Sequence, residues 1–167
     1  MAHETNQGKY CVLRKAEASD AKLILEIRND PDVRKQSCHS EYIPWETHIA
    51  WFSQQYFQKK ENVCLVLECE GKRAGYCRFD AVSSDAMEIS IALSPEFQGR
   101  GLGTFLLQEG LAYIADQKKE IRATVKKGNI ASLGLFKEQG FELVNETPKE
   151  YILGFSRLDE FQGASEN

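Results

Sequence analysis

Residues 87–110 read Met-Glu-Ile-Ser-Ile-Ala-Leu-Ser-Pro-Glu-Phe-Gln-Gly-Arg-Gly-Leu-Gly-Thr-Phe-Leu-Leu-Gln-Glu-Gly. As far as Leu93 the side chains alternate. Met87, Ile89, Ile91 and Leu93 face one way, while Glu88, Ser90 and the small Ala92 face the other, which is the two-residue period of a strand. Beyond Pro95, a Gln98-x-x-Gly101-x-Gly103 turn opens a long helix. A glycine-rich turn from strand to helix presents free backbone N–H groups and the positive end of a helix dipole. Such a turn holds phosphate without side-chain charge.

Outward from this stretch the pattern supplies the rest of a sheet. Upstream, Tyr10–Arg14 reads as a first strand, and Ser19 as the cap of a helix running to about Asn29, with Leu23, Ile24 and Ile27 at helical spacing. Asn29-Asp-Pro breaks it, an irregular stretch reaches Pro44, and a second helix covers about Trp45 to Phe57. Val63–Cys69 and Arg73–Asp80 form a hairpin around Glu70-Gly71-Lys72. Downstream, a helix from Arg100 to about Gln117 precedes a strand at Ile121–Val125. Asn129 caps a short helix ending at Gly140, and Phe141–Val144 and Tyr151–Phe155 close the chain as strands. The order β-α-α-β-β-β-α-β-α-β-β predicts an α/β fold: a mixed sheet of about seven strands flanked by about four helices.

Composition limits what such a domain does. At 167 residues, 28% charged and 42% hydrophobic, the chain suits one globular domain, expected over residues 10–158 with loose ends at 1–9 and 159–167. A net charge of −4 argues against nucleic acid as the main partner, and no apolar run reaches the roughly 20 residues of a membrane span. The five cysteines, Cys11, Cys38, Cys64, Cys69 and Cys77, lack paired metal-ligand spacing, and no metal site is expected. Cys64, Cys69 and Cys77 sit in apolar strand runs, where buried free thiols and a reduced cytoplasmic setting are the expectation.

Two phosphate-binding motifs are excluded. A Walker loop needs Gly-Lys-Ser/Thr, which is absent, and Gly99, Gly101 and Gly103 have the wrong spacing for a dinucleotide fingerprint. An apolar strand, a proline, Gln98-x-x-Gly101-x-Gly103 and a helix, then a strand, Asn129 and a helix ending in Gly140-Phe141, together resemble the Gcn5-related N-acetyltransferase (GNAT) family, over roughly Val12 to Phe155. The resemblance implies a splayed fourth strand at Met87–Leu93 and acetyl-CoA as co-substrate. It implies that the backbone of Gly99, Arg100, Gly101, Leu102, Gly103 and Thr104, following Gln98, cradles the pyrophosphate. Ile91, Ala92 and Leu93 would offer main-chain groups to the pantetheine arm, which is a pseudo-peptide and can pair with an open strand edge. Asn129 matches a position whose side chain touches the cofactor. Many relatives carry a tyrosine seven residues later as acid to the thiolate; here that place holds Phe136, which has no proton to give.

Glu88 is the candidate base, with Ser90 on the same strand face to orient the amine or a water, and Arg78 and Asp80 on the neighbouring strand as further polar groups. Acetyl transfer to an amine also needs main-chain donors for the developing oxyanion. The block Arg28-Asn-Asp-Pro-Asp-Val-Arg34 and the helix carrying His48-x-x-Trp51 resemble acetyltransferases of nucleotide-linked deoxyamino sugars, as in pseudaminic and legionaminic acid routes. That resemblance implies, for Arg28, Arg34, His48 and Trp51, contact with a diphosphate, a base or a deoxy-sugar. Their alternative roles are a helix-end cap, a surface charge, a packed histidine and a core aromatic. The reading is an N-acetyltransferase for the amino group of a UDP-linked 4-amino-4,6-dideoxy sugar, acting as monomer or homodimer. The alternatives are a ribosomal-protein-type N-terminal acetyltransferase and a non-catalytic acyl-CoA sensor.

Overall fold

The computed structural model describes residues 3–4, by their backbone, and residues 10–155. The strands are β1 (His3–Glu4), β2 (Tyr10–Lys15), β3 (Val63–Cys69), β4 (Lys72–Ala81), β5 (Ala86–Leu93), β6 (Glu120–Lys126), β7 (Glu142–Glu146) and β8 (Glu150–Phe155). They form one mixed sheet in the order β1-β2-β3-β4-β5-β6-β8-β7. Every pairing is antiparallel except β5 with β6, which is parallel. The helices are α1 (Ala21–Asn29), α2 (Pro31–Gln36), α3 (Trp45–Ser53), α4 (Leu102–Tyr113) and α5 (Ile130–Glu138).

Alternation along the strands assigns each face its own core. Leu65, Leu67, Cys77, Phe79, Met87 and Ile89 turn toward α4, where Leu106 and Leu107 meet them. Cys64, Val66 and Tyr76 turn the other way, toward Ile24 and Ile27 of α1 and Phe52 of α3. Glu88 and Ser90 stand directly opposite Asp80 and Arg78 on β4, and Ala92 opposite Tyr76, so all six share the α1/α3 face. The expected parity of β5 holds.

Several boundaries differ from expectation. The Asn29-Asp-Pro breaker also starts an element. Asp30 accepts the N–H groups of Asp32 and Val33, and Pro31, which lacks the N–H that a first turn leaves unpaired, opens α2. Ser19 does not cap α1 but lies inside a tight turn at Ala18–Asp20 that leads into it. The second long helix is regular to Ser53 and widens to a π turn over Gln54–Gln58. The helix expected from Arg100 begins at Leu102. His3–Glu4 pairs with β2, inside the end expected to be loose, while the tail expected to be loose from 159 lies outside the described residues.

The cysteine expectation is corrected at one position. Cys69 is not a free thiol: it is disulfide-bonded to Cys11, directly opposite on β2, whereas Cys64 and Cys77 are free and buried. The register of two strands distant in sequence makes this pair, and neither strand's own pattern encodes it.

Candidate active site

The site begins where two strands part. β5 pairs with β6 at Ala86–Glu120, Met87–Ile121 and Glu88–Arg122, and there the pairing stops, although β5 continues to Leu93 and β6 to Lys126. On its other edge β5 stays paired with β4 as far as Gly75–Leu93. One edge of Ile89–Leu93 is therefore open to a guest that pairs like a strand. This is the expected splay, counted here as the fifth strand because of the two-residue β1.

The glycine turn lies at the end of that edge. Gln98 donates its side-chain amide to the Leu93 carbonyl at 3.1 Å, pinning the turn to the strand. Gly99 and Gly101 take φ values of 72° and 76°, a conformation glycine adopts without penalty, and Gly101 is the N-cap of α4. The N–H groups of Leu102, Gly103 and Thr104 open the helix and have no acceptor within it. Leu102 is buried in the core, so its backbone is what it can offer a ligand. The Arg100 guanidinium lies 5.7 Å from the Phe97 ring centre. Exposed backbone donors beside an open strand edge fit a diphosphate joined to a pseudo-peptide arm.

Two expected cofactor residues are already engaged within the protein. Asn129 caps α5 by accepting the Ser132 N–H at 3.2 Å, and donates to the Gln36 carbonyl at 3.2 Å. Phe136 is buried, with its ring centre 5.0 Å from that of Phe141. Lys126 donates to the Lys35 carbonyl at 2.8 Å, so the end of α2 is tied to both β6 and the start of α5.

Glu88 stands at the apex of the splay, half-buried, with Asp80 opposite on one side and Arg122 on the other. Cys38, which follows α2, reaches the Thr124 carbonyl at 3.9 Å. Burial, with Glu150 and Glu88 close by, pushes its thiol up to about 11. Cys38 thus lies near Glu150 and Glu88, and no local sequence signal marks Cys38 or Glu150.

The other expected acceptor residues form two groups. Arg78 and Asp80 are not independent groups lining the cleft. They form an ion pair of 2.5 Å, and the Tyr56 hydroxyl donates to Asp80 at 2.6 Å and accepts from Arg78 at 3.3 Å. Burial pushes the Tyr56 hydroxyl far above its usual range, so it stays protonated. His48 is fully buried and is a packed histidine, which leaves it no surface for an acceptor. It does touch Arg28, whose Nη1 lies 3.2 Å from His48 Nδ1 and whose guanidinium carbon lies 4.3 Å from the Trp51 ring centre. Arg34 is half-buried on α2, and its Nε is buried without a hydrogen-bond partner, as is that of Arg78.

Comparison with known proteins agrees with this arrangement. A family model described as Acetyltransferase (GNAT) domain matches residues 11–142. Spermidine N(1)-acetyltransferase from Escherichia coli strain K12 is 21% identical over 145 residues, which cover 84% of this chain and 77% of that protein. A Bacillus subtilis protein named for N-acetylation of the alanine of ribosomal protein bS18 is 32% identical over 79 residues, 47% of this chain. That match spans about half, 52%, of the relative's own length. The structure of a Vibrio cholerae spermidine N-acetyltransferase in complex with CoA and spermine superimposes with a TM-score of 0.78 at 18% identity, covering 90% of this chain and 98% of the other. The open edge of β5, the backbone cradle after it and the match over most of the chain lead to one assignment: this chain belongs to the GNAT family, as an acetyl-CoA-dependent N-acetyltransferase.

Proposed function

We propose that the chain acetylates the primary amine of a small acceptor by direct attack within a ternary complex, with Glu88 as the base. The observation that carries this reading is the position of Glu88, in the last β5–β6 pair before the strands part. Acetyl-CoA supplies the acetyl group as a thioester, which an unprotonated amine attacks without help from an acylated enzyme. The backbone of Gly99–Thr104 holds the diphosphate, and the edge of Ile91–Leu93 pairs with the pantetheine arm. Glu88 takes the proton that the amine must lose, and Ser90, next along the same face, orients the amine. An N–H of the open β5 edge faces the oxygen on which negative charge develops. Phe136 cannot protonate the departing thiolate, which leaves as a stable anion.

For the acceptor, the reading favoured by the Arg28–Arg34 block is the 4-amino group of a UDP-linked 4-amino-4,6-dideoxy sugar. Its diphosphate suits guanidinium groups. Tyr42, on the segment between α2 and α3, and Trp45, the first residue of α3, are both exposed and offer faces for a base. A chain saturated with acetyl-CoA is offered this nucleotide sugar, an L-amino acid, spermidine and an alanine-terminated peptide, with release of thiol as the readout. Fastest turnover of the nucleotide sugar supports the acceptor reading, and preference for the peptide replaces it with N-terminal acetylation. Tight coenzyme A binding with no turnover of any amine overturns the proposal in favour of a sensor.

A further inference from the structure

Arg28 is a cation with no carboxylate of its own: Asp80, close enough to act on it, is already paired with Arg78. Arg28 lies near the end of α1, half-buried, and forms no ion pair with a carboxylate among the described residues. Arg78, 5.1 Å from the same Trp51 ring centre, differs, because Asp80 balances it. Partial burial of a charge with no bonded opposite is costly, and a ligand can supply that opposite. Burial, with Arg78 adding to it, pushes the Arg28 guanidinium down, and a bound anion would reverse that.

What holds Arg28 in place can be read from the hydrogen bonds. His48 Nε2 lies 2.7 Å from the Ala21 carbonyl, which can only accept, so Nε2 carries the proton. Nδ1 of a neutral ring is then an acceptor, and the Arg28 Nη1–H at 3.2 Å donates to it. The tautomer follows from partners that allow no other assignment. The guanidinium, anchored at one nitrogen by His48 and laid against Trp51, is fixed before any ligand arrives.

On the reading that the acceptor enters over the α1/α3 face, we infer that Arg28 is the seat for an anionic group of the acceptor, a carboxylate or a phosphate, and that His48 is the positioning residue that aims it. Polycationic amines such as spermidine then meet Arg28 as a like charge, and this chain differs in acceptor from its polyamine-acetylating relatives. The seat is also sensitive to pH. The charged groups facing His48 are Arg28 from α1 and Arg78 from β4, and α3 contributes the rings of Trp45, Trp51 and Phe52. A proton added at Nδ1 turns the acceptor facing Arg28 into a donor and sets two cations side by side. The anion seat then comes apart on the acid side.

The test reads binding without turnover. The chain is saturated with coenzyme A, so that the glycine turn is filled, and titrated at constant ionic strength with sulfate and, separately, acetate. Trp51 fluorescence is followed in a Trp45→Phe background, since these are the two tryptophans. Sulfate stands for phosphate without a titration of its own near neutrality, and the two arms show which anion the seat prefers. Arg28→Gln should weaken the preferred anion by roughly 10–100-fold, the worth of a charge-assisted hydrogen bond. His48→Phe should do the same, while His48→Gln, whose amide can donate to Ala21 and accept from Arg28, should stay within about threefold of the parent. Burial, with Arg28 and Arg78 adding to it, holds the His48 imidazole below its usual range. Sulfate affinity in the parent should therefore hold through neutral pH and fall only on the acid side of that range, and should stay flat in His48→Gln. Equal anion binding with and without Arg28, or spermidine acetylated faster than any anionic amine, overturns the inference. Nitrogen chemical shifts of His48 give a readout independent of ligand: protonation at Nδ1 at neutral pH also overturns it. A chain that binds anions at Arg28 but acetylates no amine supports the seat and sinks the acetyl-transfer proposal separately.

Discussion

Alanine at Gly101 separates the two demands on the glycine turn. At φ 76° an added Cβ meets no heavy atom within 4 Å, so the cost is entirely one of backbone conformation. For an alanine in the left-handed region that cost is about 1–2 kcal/mol. The variant can bear it in two ways. If the turn keeps its shape, the free protein loses that stability, about 2–8 °C in Tm for a chain of this size, and coenzyme A affinity is kept. If the turn relaxes out of the left-handed region, Tm is preserved, the N–H groups no longer converge, and affinity falls by about 5–30-fold. Calorimetry gives both numbers on one sample, and their sum should stay near 1–2 kcal/mol. Gly103→Ala is the control, because its Cβ, within a helix, would meet only side chains, the nearest being Leu135 Cδ2 at 3.4 Å. There alanine's helix preference, up to about 1 kcal/mol, offsets the contact and Tm should hold. A Gly101→Ala protein with both stability and coenzyme A affinity unchanged would show that the left-handed turn does not shape the coenzyme A site.

Further changes probe other parts of the account. Glu88→Gln should lower kcat/KM by about 10²–10⁴-fold, with acetyl-CoA affinity unchanged and partial recovery at high pH, where the amine loses its own proton. A pH profile like the parent's would remove Glu88 from the chemistry. Asp20 is fully buried, bonded to Arg14 at 2.8 and 3.0 Å and to the Glu17 N–H at 2.7 Å, with Arg73 at 3.3 Å. Burial pushes its carboxyl up, but Arg14, the Glu17 N–H and Arg73 outweigh it and hold the group below 3.8. The resulting stability is present above the unfolded value and is lost as pH falls through the lower folded one. Asp20→Asn should therefore cost about 3–5 kcal/mol at pH 7 and flatten acid unfolding below pH 4, both measurable by urea titration. Reducing the Cys11–Cys69 disulfide, which closes a separation of 58 residues, should cost about 2–4 kcal/mol. An unchanged urea midpoint after reduction contradicts that.

The sequence made the sheet legible because its periods are unambiguous. Met87–Leu93 alternates strictly, and the turn after it is built from residues with few other uses. The features it concealed depend on pairs distant in sequence. Cys11 and Cys69 meet through strand register, and Asn129 reaches α2 through an arrangement that no local pattern encodes. Asp30-Pro31 read as a stop because the pattern ends there, yet the same two residues supply the cap and first turn of α2. At the site, the parity that placed Glu88 and Ser90 together was visible, as was His48-x-x-Trp51, which puts a ring and its neighbour on one helix face. The sequence could not show that the pocket divides into a neutralised Arg78–Asp80–Tyr56 group and an Arg28 bonded to no carboxylate, since that depends on which carboxylate lies within reach.

On the proposed reading, acetyl-CoA lies along the open edge of β5 with its diphosphate on the glycine turn. Amide hydrogen exchange with and without acetyl-CoA tests this at the atoms concerned. New protection should be concentrated in Ile89–Leu93 and in the N–H groups of Gly99–Thr104, with β3 and β4 unchanged. Protection that spares both segments, or falls elsewhere on the sheet, would contradict it.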